Sequence, residues 1–337
     1  MPRDNLQVGP CRPRELPHLR ELLNEVFVEE LGADGDIFEY APLLYSEENA
    51  QNLRVVRRGR RLVGHAGILP REIRWRDQRL RVGLIGGVCC RKELRGGGIG
   101  TLAMEDAARR MAELDLHFGV LWTASPGFYQ RLGWRHAGGI TMMRIAEAAG
   151  ESPVQREIMR LNESAFGPDC CHRLHEAAGR NEVIRTPDET RILLTTHRRD
   201  ALLALEGGRP DGYAAHDGHT LREIEGDAEC CMAVISRAAA EGCRLCVFPL
   251  HDWRVEAIAE AMPVGVEHRS LGMLLIVNRE GLVETIAREL GATPEELGLG
   301  PEESDEVLMM RIFGQPEREP SEEPLPLDIH IGYLDHV

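Results

Sequence analysis

The residues whose types and spacing could do chemistry are concentrated in the stretch CCRKELRGGGIGTLAM, which begins at Cys89. Three consecutive glycines, Gly96 to Gly98, and a fourth at Gly100 come directly before an apolar run with helical periodicity. Glycine adopts backbone angles closed to other residues and lets a ligand approach the main chain closely. A strand that ends in such a loop and then opens a helix directs successive N–H groups and the positive end of the helix dipole at one point. The arrangement predicts a pyrophosphate-binding site.

Several kinds of phosphate-binding loop contain glycine, and their other residues distinguish them. A Walker A loop requires a lysine before its Ser or Thr, and GGGIGT has none. A dinucleotide-binding fingerprint follows the first strand of a parallel unit, whereas several antiparallel-looking strands precede this loop. A flexible loop without a ligand is the structural alternative. The remaining pattern, R-x-x-G-x-G, is met by Arg95, Gly98 and Gly100.

A second motif follows this loop, after one intervening strand. The segment VCCRKELRGGGIGTLAMEDAARR resembles motif A of the GNAT superfamily of N-acetyltransferases along its length. After the next strand, SPGFYQRLGW is similar to the aromatic motif of that family, with Leu-Gly-Trp where the family usually has Leu-Gly-Phe. The resemblance covers about residues 5 to 145. The tandem arrangement described below and ASPGFYQRLGW resemble the enhanced-intracellular-survival (Eis-like) group, although the 57 residues after 280 are fewer than its sterol-carrier-like C-terminal domain.

The resemblance implies acetyl-CoA as the acetyl donor and no metal. It implies that backbone groups of Val88, Cys89 and Cys90 bind the acetyl carbonyl and the pantetheine arm, as an added strand would. The side chains of the two cysteines are expected to be core thiols rather than nucleophiles. The pyrophosphate is expected on the loop residues Arg95, Gly96, Gly97, Gly98, Ile99, Gly100 and Thr101.

The reaction implied by the resemblance is direct attack of an amine on the acetyl thioester within a ternary complex. Tyr129 stands at the family's general-acid position, where it could give a proton to the departing thiolate. A tyrosine that only packs beside the donor is the alternative. Ser125 could orient Tyr129 or the pantetheine arm, or it could simply begin the next helix as its N-cap.

The general base is harder to assign, because the strand GLIGGVCC carries no Asp or Glu where many relatives have one. By residue type alone the candidates are Glu29, Glu39, His65 and His117, and His65 is as consistent with a packed core histidine. In the Eis-like group the chain's own terminal carboxylate reaches the active site. The strand-like ending IGYLDHV makes Val337 the expected catalytic residue here.

These residues need a scaffold, and hydrophobic periodicity predicts one. RPRELPHLRELLNEVFVEEL reads as an amphipathic helix, and two hairpins follow before the glycine loop. Helix, antiparallel strands, helix, strand and helix together describe an α/β sandwich of about 145 residues. The helix after the loop, from about Ile99 to Leu114, is predicted to point these charged residues outward: Glu105, Asp106, Arg109, Arg110 and Glu113.

The second half of the chain repeats part of the first. LRVVRRGRRLVGHAGI, from Leu53, matches ALLALEGGRPDGYAAH, from Ala201, at a constant offset of 148 residues. In place of the glycine loop the second copy has EIEGDAECC, where Asp227 and Glu229 would repel an anion. A tandem duplication with a degenerate second copy follows.

The predicted fold class is therefore α/β (α+β), with tandem GNAT folds, each a mixed central sheet flanked by helices, and a short C-terminal extension. The predicted domains are a catalytic GNAT domain over 1–145, a degenerate GNAT-like domain over 146–280, and a C-terminal region over 281–337. The last comprises one helix, an acidic Pro/Glu-rich linker and a strand-like tail.

Composition limits the partners. The net charge of −15 argues against a nucleic-acid surface, and no apolar run is long enough to cross a membrane. Nine cysteines, six of them in adjacent pairs, favour reduced thiols and a cytoplasmic location. The CRLC pair at Cys243 has the spacing of half a zinc site but lacks a second half, so strand packing is favoured. A homo-oligomer is compatible with the sequence.

The expected function is an acetyl-CoA-dependent N-acetyltransferase that acts on a primary amine of a small molecule of the aminoglycoside, amino sugar or polyamine type. One alternative is acetylation of a protein or peptide amine. The other is a noncatalytic acetyl-CoA-binding sensor or scaffold.

Overall fold

The computed structural model describes residues 6–196, 200–315, 325–332 and 335–337. Among these residues no helix combines the length and the apolar character that a membrane crossing requires. The chain divides into two compact units. The first unit comprises residues 1–136, 272–309 and 336–337, and the second comprises 137–271 and 310–335.

The secondary structure of the described residues alternates short helices with strands. The strands are Leu6–Pro10 (β1), Leu53–Arg58 (β2), Arg61–Trp75 (β3), Gln78–Cys90 (β4), Phe118–Leu121 (β5), Arg135–Ala137 (β6), Ile140–Ile145 (β7), Glu157–Arg160 (β8), Asp200–Glu206 (β9), Arg209–His216 (β10), Thr220–Glu225 (β11), Leu245–Pro249 (β12), Val264–Arg269 (β13) and Gly272–Ile276 (β14). The α-helices are Leu16–Leu23 (α1), Ile37–Tyr40 (α2), Ile99–Glu113 (α3), Pro126–Gln130 (α4), Pro168–Ala178 (α5), Pro187–Thr195 (α6), Ala228–Ala240 (α7), Arg254–Ala261 (α8), Arg279–Leu290 (α9) and Asp305–Phe313 (α10).

Each unit is built on a mixed sheet of seven described strands. The first sheet has the order β1-β2-β3-β4-β5-β14-β6, and the second has β13-β7-β12-β11-β10-β9-β8. In both sheets one internal pair is parallel, β4 with β5 and β11 with β12. Reading the second order backwards gives the same architecture as the first, so the predicted fold class with two mixed sheets flanked by helices is confirmed.

The predicted domain ranges follow the chain linearly, whereas the two units do not. Strand β7 pairs with β12 and β13 in the second sheet, although its residues 140–145 were assigned to the first domain. Strand β14, residues 272–276, pairs with β5 in the first sheet. Each sheet thus contains one strand, β14 in the first and β7 in the second, from the part of the chain that was assigned to the other domain. Hydrophobic periodicity cannot indicate such a pairing. The catalytic role of 1–145 stays a prediction.

Helix α3 packs on the first sheet through the predicted apolar face. Ile99, Ala103, Ala107 and Met111 are buried there. Asp106, which was predicted to point outward, is instead buried at 3% exposure, and its carboxylate is paired with Arg54 of β2, which is also buried. The outward prediction was wrong because the partner that compensates this charge lies 52 residues away in sequence.

The N-terminal helix is interrupted. α1 buries Leu16, Leu19, Leu22 and Leu23, as the periodicity predicts, but the next seven residues, Asn24–Glu30, form a π-helix. Wider turns change the facing of the residues that follow, so Leu31 is 64% exposed instead of continuing the apolar stripe.

The C-terminal region has two described helices, α9 and α10, where one was predicted. The acidic Pro/Glu-rich stretch lies mostly outside the described residues, over 316–324. Of the predicted terminal strand, the described residues show a single bridge between His330 and Glu182.

Candidate active site

Strands β4 and β5 of the first unit begin as neighbours and then separate. They pair in parallel from Val82 with Phe118 to Leu84 with Val120, and no pairing between them follows in the described residues. β4 nevertheless continues to Cys90. A cavity of about 860 Å³ lies at this opening and is lined by Ile85 to Cys90 on one side and Leu121 to Ser125 on the other. An unpaired strand edge beside a cavity can bind an extended ligand through main-chain hydrogen bonds.

A β-bulge in β4 shapes this edge. Two residues, Gly87 and Val88, stand opposite the single residue Ala66 of β3. Gly87 has a φ of +60°, and an added Cβ there would lie 2.0 Å from the Tyr45 hydroxyl, so only glycine fits. Its carbonyl accepts a hydrogen bond from His65 Nδ1 at 2.8 Å. Bulges re-aim a strand locally, and this one turns β4 at the cavity wall.

The glycine loop closes one end of the cavity. Gly96 and Gly98 have φ angles of +79° and +78°, which other residues adopt only with strain. Gly98 is the N-cap of α3 but has no side chain to accept a hydrogen bond, and the first turn carries no acidic residue. At Gly100 an added Cβ would approach the Phe128 ring at 3.3 Å. The N–H groups at the start of α3 therefore remain open to an anionic ligand.

Arg95 also lines the cavity, but its guanidinium is engaged. It forms a two-pronged ion pair with Glu30, with 2.7 Å between Nη2 and Oε2. This contact is the first cause of the raised pKa of Arg95 and of the lowered pKa of Glu30. The Arg95 side chain is 44% exposed and the Glu30 side chain 21%, so water screens this pair in part and an anion at the loop can share the arginine.

Tyr129 stands on α4 and reaches the same cavity. It is buried, and burial is the main reason that its pKa is raised to about 12, although a hydrogen bond with the Thr123 side chain opposes the shift. The phenol is therefore protonated throughout the neutral range. Ser125 lines the cavity as well, yet it is exposed and its side chain does not cap α4.

The end of the chain lies against β4. An added Cβ at Gly86 would be 2.6 Å from the carboxyl carbon of Val337, so the terminal carboxylate touches the glycine backbone directly. The preceding His336 stacks on Trp122, with ring centroids 3.5 Å apart. Among the described residues that line the cavity there is no Asp or Glu, and Val337 supplies the only carboxylate.

The other base candidates lie elsewhere. His65 is fully buried outside the cavity lining, and burial lowers its pKa to about 4. His117 is buried beside Arg81 with its pKa lowered to about 4, chiefly by burial. Glu29 and Glu39 are exposed and are not part of the lining.

The cavity thus brings together the predicted site residues from three distant parts of the sequence. All except Gly97, which is in the loop but not in the lining, are among its walls. Sequence reasoning missed Gly86 and Gly87, which make room for Val337 and Tyr45. Two adjacent glycines inside a strand are a signal of close approach that could have found them.

The family model described as an acetyltransferase (GNAT) domain matches residues 7–137. Residues 7–137 are a GNAT acetyltransferase domain. The prediction of an acyltransferase enzyme is thereby confirmed. GNAT acetyltransferases use acetyl-CoA as donor and act on amines, and the motif segments of this GNAT domain meet at its cavity. Among curated proteins, none matches the chain.

Solved structures support the same fold for most of the chain. A GCN5-related N-acetyltransferase from Anabaena variabilis is 18% identical with a TM-score of 0.62, over 83% of this chain and 75% of its own. An Enterococcus faecalis protein of unknown function, a probable N-acyltransferase, is 16% identical with a TM-score of 0.64 over the same shares. Eis1 from Mycobacterium abscessus is 14% identical with a TM-score of 0.58, over 83% and 76%. At these identities the similarity concerns the fold, and it includes the predicted Eis-like group.

Proposed function

We propose that this protein transfers an acetyl group from acetyl-CoA to a primary amine of a small molecule of the aminoglycoside, amino sugar or polyamine type. One observation carries the proposal. A single cavity is lined by an uncapped helix N-terminus, an unpaired strand edge, a protonated tyrosine and the chain's terminal carboxylate.

The residues present fit the donor. The N–H groups that begin α3, with Gly96 and Gly98 in conformations that expose them, would hold the pyrophosphate, and Arg95 would add a positive charge. Gly97 would contribute through the shape of the loop. The free edge of β4 at Val88, Cys89 and Cys90 would bind the pantetheine arm through backbone groups. When bound, acetyl-CoA supplies the thioester from which the acetyl group is taken.

The proton transfers fall to Val337 and Tyr129. The terminal carboxylate would accept the proton that the attacking amine loses, because it is the one carboxylate among the described lining residues. Tyr129, whose pKa of about 12 keeps it protonated, would donate to the leaving sulfur. Ser125 would orient the donor near Tyr129.

The surroundings of the site favour a small cationic acceptor. A cavity of about 860 Å³ is of the size that holds a drug-sized molecule beside a cofactor arm. A carboxylate in its wall and a net charge of −15 favour an amine that arrives protonated. All nine cysteines are free thiols, which supports a reducing compartment such as the cytoplasm.

Release of free thiol from acetyl-CoA, measured with a panel of amines, tests the function. Polyamines, aminoglycosides or amino sugars are expected to release thiol, and peptides are expected to release little. Transfer to peptides alone would point to a protein amine acetyltransferase. Binding of acetyl-CoA without thiol release for any amine would contradict catalysis and favour a sensor.

The role of the terminal carboxylate is tested by removing residues 336–337. The truncated protein is expected to lose kcat by about 10²- to 10⁴-fold, the range for a lost general base, while acetyl-CoA still binds. Val337→Ala is the matched control, because it keeps a carboxylate at the same chain position and should stay within about tenfold of wild type. Undiminished transfer by the folded truncated protein would rule out this base.

A further inference from the structure

The second unit contains a buried cluster of three potential metal ligands. His175 of α5, Glu182 of the following loop and Glu225 at the end of β11 each offer one ligand atom, and these atoms lie within 4.8 Å of one another. The side chains are 2%, 6% and 1% exposed. The cluster is separate from the GNAT cavity, since all its residues belong to the second unit.

The ligand atoms lack hydrogen-bond partners. His175 Nδ1, Glu182 Oε1 and both carboxylate oxygens of Glu225 have none among the described residues. Arg180 Nη1 lies 2.8 Å from Glu225 Oε2, but without hydrogen-bond geometry. Buried polar groups of native proteins are nearly always satisfied, so the other three atoms, which face one another without a hydrogen bond, indicate a missing partner.

The histidine is already oriented as a metal ligand. Its Nε2 lies 3.2 Å from the carbonyl oxygen of Val183, which can only accept, so Nε2 carries a proton and Nδ1 is the atom that a metal ion would bind once it has displaced any proton there. A backbone carbonyl bound to the far ring nitrogen is the usual way in which proteins fix a ligating histidine. Nδ1 is aimed at the two carboxylates.

The distances are close to those of a tetrahedral site. His175 Nδ1 is 3.6 Å from Glu182 Oε1 and 3.6 Å from Glu225 Oε1. With metal–ligand bonds of about 2.0 to 2.1 Å, neighbouring ligands of tetrahedral zinc are about 3.3 Å apart. Side-chain adjustments of a few tenths of an ångström would bring these two edges to that length, and the third edge, between the two carboxylates, is at most 4.8 Å long.

The charges around the cluster also leave room for a divalent cation. Four carboxylates are buried here, and two arginines face them: Glu182, Glu223, Glu225, Asp335, Arg180 and Arg185. With His175 in the neutral form that a metal ligand requires, four negative charges and two positive charges leave −2, which one divalent ion balances. The nearby buried pair of Asp252 and Arg254 is neutral by itself.

An entry path exists. Glu225 is part of the wall of a cavity of about 590 Å³ within the second unit, whose lining also includes Asp211, Asp227 and His330. This acidic lining favours cations, and a water molecule from the cavity can take the fourth coordination position.

From these observations we propose that His175, Glu182 and Glu225 bind a divalent first-row transition-metal ion of the zinc class. Imidazole together with two carboxylates suits Zn²⁺ better than Mg²⁺, which takes oxygen ligands. The ion would tie α5, the 180–183 loop and β11 together. The resemblance to the GNAT family implies no metal, and the three ligands, which are 7 and 43 residues apart, match no metal-binding motif.

The test uses the full chain after treatment with a chelator, titrated with ZnCl₂ by calorimetry. The wild type is expected to bind one Zn²⁺ per chain, and saturating Zn²⁺ should raise the melting temperature by roughly 5 °C. His175→Gln and Glu182→Gln should each weaken Zn²⁺ binding at least about 100-fold, since even indirect partners of a metal ligand cost 10- to 100-fold. His172→Gln, on the same helix but outside the cluster, should bind like the wild type.

A second measurement separates a metal site from a purely structural ion cluster. Without metal, Glu182→Gln should be as stable as the metal-free wild type or more stable, because it removes an unpaired buried charge. If the cluster were complete without an ion, this variant would instead melt at a lower temperature. A folded wild type that binds no Zn²⁺, binds it equally in all variants, or prefers Mg²⁺ would overturn the proposal.

Discussion

The helices α3 and α7 follow corresponding strands of the two sheets, β4 and β11, but they begin differently. α3 starts at Gly98, in a left-handed conformation and without a side chain that could cap the helix. α7 starts at Asp227, whose carboxylate accepts the N–H of Cys230 at 2.7 Å. An N-terminus capped by its own carboxylate has lost both the free N–H group and the positive potential that an anion needs.

The openings between the neighbouring strands differ in the residues that surround them. β11 and β12 pair only at Thr220 and Leu221, so this pair also separates. There the fully buried Arg254 donates to the carbonyl of Gly226 at 3.0 Å and is paired with Asp252. In the first unit the corresponding strand edge lines a cavity. The same strand arrangement therefore borders a cavity in both units, but in the second unit the lining includes Asp211, Asp227 and Asp252 and the helix N-terminus is capped, which disfavours an anion.

The largest effect expected from this comparison concerns two buried tyrosines. Tyr129→Phe should lower kcat by about 10²- to 10³-fold with a small change in KM, because the general acid is lost. Tyr213→Phe should leave kcat unchanged but lower the free energy of unfolding by about 1–3 kcal/mol, because the buried Glu223 loses the hydrogen bond that Tyr213 donates. Steady-state kinetics and denaturant unfolding measure the two effects.

The pH profile sharpens the assignment of Tyr129. Because burial raises its pKa to about 12, above the usual value of 10.0, the phenol keeps its proton as pH rises through 10. Deprotonation of Tyr129 should therefore not lower the wild-type kcat between pH 8 and 10. A decline in this range that is absent from Tyr129→Phe would contradict the raised pKa. If Tyr129→Phe and the wild type had equal kcat values, Tyr129 would not be the general acid and would only pack beside the donor.

A smaller effect is expected when the start of α3 is given a carboxylate, as the start of α7 has in Asp227. Thr101 lies in the first turn of α3 and lines the cavity, and Thr101→Asp would put a carboxylate where the pyrophosphate is proposed to bind. Repulsion of about 2–3 kcal/mol, after screening, should weaken acetyl-CoA binding about 100-fold. The fold should persist, since an acid in the first turn stabilises a helix.

Thr101→Asn is the control, because it has the same shape without the charge. Its affinity for acetyl-CoA, measured by calorimetry beside that of Thr101→Asp, should stay within about threefold of wild type. If both variants bind acetyl-CoA equally, the anion does not lie at this helix terminus, and the contrast between α3 and α7 loses its functional meaning.

The sequence predicts the local features of the site well. The glycine loop, α3 and the tyrosine of α4 are encoded by short motifs, and the structure brings them to one cavity with Val337. Their roles stay predictions. Gly86 and Gly87 escaped notice because their purpose is visible only once Val337 and Tyr45, from distant parts of the chain, lie against them.

The sequence does not predict contacts between residues that are far apart in the chain. Asp106 was predicted to face solvent because helical periodicity cannot indicate Arg54. The exchange of β7 and β14 between the sheets depends on pairing rather than on propensity. The cluster around His175 likewise joins a helix, a loop and a strand, so no spacing marks it.

The smallest effect expected concerns the cap of α7. Asp227→Ala should lower the free energy of unfolding by about 1 kcal/mol, the usual loss for an N-cap, whereas Asp227→Asn keeps the acceptor and should lose less. Neither variant should bind a second acetyl-CoA, because Asp211, Glu225 and Asp252 still line the cavity beside β11 and would repel the pyrophosphate. Calorimetric stoichiometry checks this point. Two donor molecules per chain in Asp227→Ala would mean that Asp227 alone excludes the donor from the second cavity, and that the other acidic residues of its lining are no barrier.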